Sequence, residues 1–240
     1  MSKLLKLILY VLPVMVTISV NAQTDTAQNL SGRQQAIIRI SAITGNGDLE
    51  NLKTELNAGL EAGLTVNQIK EVIVHVYAYA GFPRSIRGLQ TFMSVLDERK
   101  AKGINDVMGN DASPIKDGGK KYDRGKAILD SLLGAPQSGP QTGYSAFAPV
   151  IEIFLKEHLF ADIFERDVLS YAERELVTVS VLSSIGGVEP MLQSHLKICL
   201  NVGLTPNQLE QFVDIVKSTI GKQEAKAAQK VLGEVLKNNK

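Results

Sequence analysis

Glu71, His75 and Tyr79 recur at intervals of four in Glu-Val-Ile-Val-His-Val-Tyr-Ala-Tyr, and on a helix that interval stacks them along one face. An acid, an imidazole and a phenol so placed can move a proton, with Glu71 orienting His75 and Tyr79 donating to an oxyanion. Any amphipathic helix produces the same interval, so a hydrogen-bonded polar stripe is the alternative. His195 lies in a second apolar helical pattern, Met-Leu-Gln-Ser-His-Leu, either as the group that steadies the developing anion in a composite site where His75 exchanges the proton, or as a hydrogen-bonded core residue. Arg84, just after Tyr79-Ala-Gly-Phe-Pro, and Arg33 and Arg174, near helix starts, are candidates for holding a substrate carboxylate in a bidentate grip. Salt bridges or surface exposure are the alternatives for these arginines. His158 reads as a surface residue. With three histidines on separate segments and no His-x-x-x-His or Cys-x-x-Cys, neither a metal nor another cofactor is expected.

The elements carrying these residues come in two copies. Gly63-Leu-Thr-Val-Asn-Gln68 returns as Gly203-Leu-Thr-Pro-Asn-Gln208, and Leu52, Leu56, Leu60 and Val76 match Leu192, Leu196, Leu200 and Val216 at an offset of 140. Upstream the best match shifts to 141, pairing Arg33 with Arg174 and Gly45 with Gly186. The copies differ where chemistry is concerned: Glu71, His75 and Tyr79 face Gln211, Ile215 and Thr219, whereas Glu55 faces His195. Strand signals are weak. Ser31, Asp48, Thr65 and Ser85 are expected to open helices in the first copy, and Ser170, Glu189, Pro206 and Gln223 in the second, with capping boxes at Thr65, Ser170 and Thr205. A Gly- and Pro-rich connector holds one short helix near 122–133, and a Phe-rich helix is expected over 147–164.

Residues 1–22, with a basic start, an apolar run and Val20 and Ala22 before Gln23, read as a cleavable export signal, which implies a periplasmic protein with no membrane contact after cleavage. The remaining chain divides into units at 23–100 and 144–240, joined by 101–143. A formal charge of +1 with no basic run speaks against nucleic acid. A single cysteine, Cys199, forms no intrachain disulfide, so packing must supply stability.

Glu71…His75…Tyr79-Ala-Gly-Phe-Pro after a Gly-Leu-Thr turn, together with Leu169-Ser-Tyr-Ala-Glu-Arg-Glu-Leu176, resembles the carboxymuconolactone decarboxylase family. The resemblance implies an all-α fold of two tandem units, like that of alkylhydroperoxidase D, and assembly into a homo-oligomer, with a trimer of two-unit chains favoured. It also implies proton-transfer chemistry, decarboxylation or isomerisation, on a small carboxylated or lactone substrate. The related peroxidases use Cys-x-x-Cys ahead of a His; here Val188 and Met191 precede His195, so a thiol peroxidase cycle is not expected. A non-catalytic exported binding or scaffold protein is the competing function.

Overall fold

The computed structural model describes residues 29–115 and 118–238; the expected export signal lies outside them. The described residues are helical, with no strand among them. The first copy supplies α1 (Gly32–Asn46), α2 (Leu49–Glu61) and α3 (Val66–Ala101). The connector supplies α4 (Lys121–Leu133), followed by the short helices α5 (Gly143–Phe147) and α6 (Pro149–Phe154), which run into a π-helix, Leu155–Phe164. The second copy supplies α7 (Tyr171–Ile185), α8 (Glu189–Asn201), α9 (Pro206–Thr219) and α10 (Lys222–Asn238).

Local chemistry sets these boundaries. Ser31, Thr65, Ser170 and Thr205 each accept from the backbone N–H three residues on, while Gln34, Gln68, Glu173 and Gln208 reach back to the cap, giving four complete capping boxes. These boxes correct the upstream alignment. Ser31 and Ser170 are equivalent starts, and Gly47 and Gly186 equivalent ends, so the offset there is 139. Ser41 and Ser180 then match, each donating to the carbonyl four residues back at 2.6 Å. In this register Arg174 faces Gln35 rather than Arg33, and Gly186 no longer faces Gly45.

A second correction concerns Ser85. The helix opened by Thr65 breaks at Gly81, whose φ of 80° and ψ of 163° suit glycine alone, and resumes at once with Pro83 in its first turn. Ser85 therefore lies inside α3, its hydroxyl donating to Ile73 O across the kink at 2.8 Å. Likewise the single helix expected over 147–164 is three pieces, divided at Ala148 and at the change of winding after Phe154.

From Arg174 to Ser183 every residue of α7 is buried, so this helix forms the centre of the molecule. It packs along α1, and α3 of the first copy packs on α1, α2 and α7, while α9 of the second copy packs on α1 and α10. The copies thus exchange partners instead of closing separately, and one apolar core, from Ile37, Leu52 and Val72 to Leu176, Leu196 and Phe212, runs through both. A smaller core of Leu132, Phe160, Phe164 and Ile198 joins α4 and the π-helix to α8.

Gly125 marks the closest approach in that smaller core, since a Cβ there would sit 1.7 Å from Lys156 O. Gly125→Ala, a change that stabilises an exposed helix by up to about 1 kcal/mol, is therefore expected to lower the melting temperature here. An unchanged or raised melting temperature would show that α4 and the π-helix can separate freely.

Candidate functional site

Where α3 crosses α7, Glu71, His75 and Tyr79 do share one face, and that face meets Arg174, Glu175 and Thr178 of the second copy. Glu71 is buried. Its Oε1 accepts from Arg174 Nη2 at 2.8 Å, and both its oxygens accept from Arg166 Nε, at 2.9 and 3.1 Å. Arg174, itself fully buried, also donates to Arg166 O at 2.5 Å. Arg166 comes from the turn ahead of α7, so residues on both sides of the Ser170 cap clamp one carboxylate.

The expectation that Glu71 bears directly on His75 is corrected, because Arg174 lies between them. Arg174 Nη1 is 3.3 Å from His75 Nδ1, and His75 Nε2 is 3.0 Å from Thr178 Oγ1. The Thr178 hydroxyl donates to Arg174 O at 3.1 Å, so it accepts from His75, which fixes the proton on Nε2 and leaves Nδ1 to accept from Arg174. Both ring nitrogens are engaged. Burial, then the nearby Arg174 and His195, hold the His75 pKa well below its ordinary 6.5, and the ring stays neutral.

This depression has a sign for stability. The unfolded chain takes up a proton near pH 6.5 that the folded chain refuses, so stability falls as pH drops below about 6.5, by up to about 1.4 kcal/mol per pH unit from this group. Urea unfolding from pH 7.5 to 5 should show that slope, and His75→Gln should remove His75's share of it. An identical slope in the variant would place its origin elsewhere.

One turn further along α3, the Tyr79 ring stacks on His75, with centroids 5.6 Å apart, and meets His195 edge-on at 5.8 Å. Its hydroxyl oxygen is enclosed, close to Thr178 and Glu175 but without a hydrogen bond of normal geometry to either. Burial, and then the Glu175 charge, push its pKa up, so Tyr79 remains a neutral donor. His195, on α8, places Nδ1 2.8 Å from Glu175 Oε2; the carboxylate is fully buried, while the imidazole is 14% exposed. A buried carboxylate holding Nδ1 turns Nε2 outward as the proton-carrying atom.

The structure thus gathers Glu71, His75, Tyr79, Arg174 and His195 into one connected cluster across both copies. Arg33 and Arg84 stand apart from it. Arg33 reaches Gly63 O at 3.4 Å and Glu173 at 3.9 Å. Arg84 is exposed, makes no ion pair among the described residues, and lies over Gly47, where any Cβ would collide with its guanidinium. It lines an open cavity of about 300 Å³ with Gly45, Asn46, Ala80, Ser184 and Ile185. Sequence reasoning did not single out Glu175, Arg166 or Thr178. Glu175 had one signal, a carboxylate leading directly into the apolar run from Leu176 to Leu182.

The pseudo-equivalent position holds different chemistry. Gln211 accepts from Leu30 N at 2.9 Å, Ile215 replaces the histidine, and Arg39 reaches Ser218 and Thr219 at 3.4 Å. Gln35, Ala36 and Glu55 stand where the other position has Arg174, Glu175 and His195. One cluster is intact and its counterpart is not. Among the described residues no group of His, Cys, Asp or Glu is placed to hold a metal ion, and no helix is long and apolar enough to cross a membrane.

Two tandem helical units sharing one core define an all-α protein. The sequence pattern of the carboxymuconolactone decarboxylase family matches residues 19–92 and again 151–234, and the chain belongs to that family. It is similar to the 4-carboxymuconolactone decarboxylase of Acinetobacter baylyi, with 25% identity over 120 residues that cover 50% of this chain and 89% of that protein.

Proposed function

We propose that this protein catalyses proton transfer, as a decarboxylase or isomerase, on a small carboxylated or lactone compound, with His195 as the group that gives and takes the proton. The observation that carries this reading is the His195–Glu175 pair: a partly exposed imidazole whose inner nitrogen is held by a buried carboxylate at 2.8 Å. Glu175 keeps the ring in one tautomer and stabilises the imidazolium that forms. Tyr79, with its ring against His195 and its hydroxyl enclosed, holds the pair in place and does not meet the substrate, which corrects the expectation that it donates to an oxyanion. Glu71, His75 and Arg174 form the fixed wall behind them. Arg84, free of acidic partners among the described residues and steadied on Gly47, is the anchor offered to the substrate carboxylate from the cavity next to Ala80; Arg33 and Arg174 are engaged elsewhere.

Phe147, which is 92% exposed, and Phe154, Phe82, Ile185 and Met191, also exposed, are large apolar side chains that a second copy of the chain could cover. A homo-oligomer, a trimer of two-unit chains, is part of the proposal, as is export to the periplasm. No thiol peroxidase activity is expected, because Val188 and Met191 occupy the positions a Cys-x-x-Cys would need.

The test offers the purified protein 4-carboxymuconolactone and related unsaturated lactones and carboxylates in deuterated water, following carbon dioxide release and deuterium uptake. Turnover or exchange that disappears in His195→Gln supports the enzyme. Tight binding of a panel member with neither exchange nor decarboxylation would instead favour an exported binding protein on this fold.

A further inference from the structure

Three fully enclosed polar atoms in the cluster have no hydrogen-bond partner: the Tyr79 hydroxyl, Glu175 Oε1 and Arg174 Nε. Leaving such groups unpaired costs about 1–3 kcal/mol each, and buried polar groups are rarely left so. The phenol and the carboxylate are linked through His195: the Tyr79 ring abuts that imidazole, whose Nδ1 is bound to the other oxygen of Glu175. Thr178, one turn beyond Glu175 on α7, adds a third polar atom. Its hydroxyl proton is committed to Arg174 O, and its oxygen has accepting capacity beyond His75. A donor, a carboxylate oxygen and a hydroxyl oxygen supply the two to four partners that an enclosed water requires.

We propose that Tyr79 is a positioning residue for His195: its hydroxyl donates to one enclosed water, which in turn donates to Glu175 Oε1 and Thr178 Oγ1. This inference rests on the His195–Glu175 reading of the site. The hydrogen-bond chain is then continuous from the outer imidazole to the inner one: His195 Nδ1–H to Glu175 Oε2, Glu175 Oε1 from the water, the water to Thr178, and Thr178 from His75 Nε2–H. Each proton in this chain has a single donor and a single acceptor, and Arg174 Nε stands outside it. In this arrangement Tyr79 withdraws some of the carboxylate's basicity through the water. The other charged or titratable groups facing the pair are Glu71 and His75 from α3, Arg174 from α7 and Cys199 from α8, so the effect of Tyr79 must be read by changing it alone.

The experiment follows the Nδ1 proton of His195 by NMR in the full chain, assigned by its loss in His195→Gln. Tyr79→Phe removes only the hydroxyl; without its support, Glu175 becomes a stronger acceptor, and the Nδ1 proton should move downfield by much more than its linewidth. Glu175→Gln should move it the opposite way and abolish the effect of a further Tyr79→Phe change. A crystal structure at high resolution should show a water in contact with Tyr79 Oη and Glu175 Oε1. An Nδ1 resonance unmoved by Tyr79→Phe, in a variant whose amide spectrum shows the fold intact, would overturn the proposal, as would a Tyr79 hydroxyl bonded to another group. Neither readout depends on turnover, so failure here is distinct from failure of the proposed activity.

Discussion

Glu71→Ala is expected to destabilise the protein by about 3–5 kcal/mol, the cost of leaving one partner of a buried ion pair alone. Among the described residues Glu71 is the only carboxylate that Arg174 touches, and Arg174 is fully buried, so deleting the acid strands a guanidinium in the core. Arg166→Ala provides the contrast. That side chain is 44% exposed and leaves the Glu71–Arg174 contact in place, so the change should cost no more than about 1 kcal/mol. Denaturant unfolding of the two variants measures the difference. Equal, small losses would mean that water reaches Arg174 and that the cluster is not sealed.

For the proposed proton transfer, His195→Gln is expected to lower kcat by about 10²–10⁴-fold, the usual contribution of a positioned acid–base group. Glu175→Gln should produce a loss of similar kind, and the double variant little more than the larger single loss, because residues acting as a unit are strongly non-additive. His75→Gln should behave differently, since both nitrogens of that ring are already bonded within the protein: its effect should fall on stability and on the pH dependence of unfolding. Should His75→Gln instead match His195→Gln in kcat while leaving stability unchanged, the inner imidazole would be the proton carrier and the roles assigned above would be reversed.

The duplication, the helices and the caps were readable because they are written locally. A Thr three residues ahead of a Gln, leucines at intervals of four and a glycine at a helix end need no tertiary information. The face carrying Glu71, His75 and Tyr79 was readable for the same reason. What that face met was not. Arg166 lies 95 residues from Glu71 in sequence and Thr178 lies 103 from His75, and no periodicity reports on contacts between elements so distant. That is why His75 looked like a free acid–base group and Glu175 went unnoticed. Register suffered from a related limit: Arg33 and Arg174 resemble each other in the alignment, but the capping hydrogen bonds, which letters alone do not rank, place them two residues out of step.

The exchange of helices between the copies bears on how such a chain can change over generations. Each of the two possible sites draws α3 or α9 from one copy and α7 or α1 from the other, so a harmful substitution in either copy damages one site and spares the second. A fused duplicate therefore begins with a spare. Where only one position keeps an ionisable set, as here with Gln211 and Ile215 at the other, selection on it falls on different helices in each copy: the third in the first, the first two in the second. The halves are then free to drift apart in opposite places while becoming unable to function separately, and a tandem repeat turns into a single indivisible inheritance.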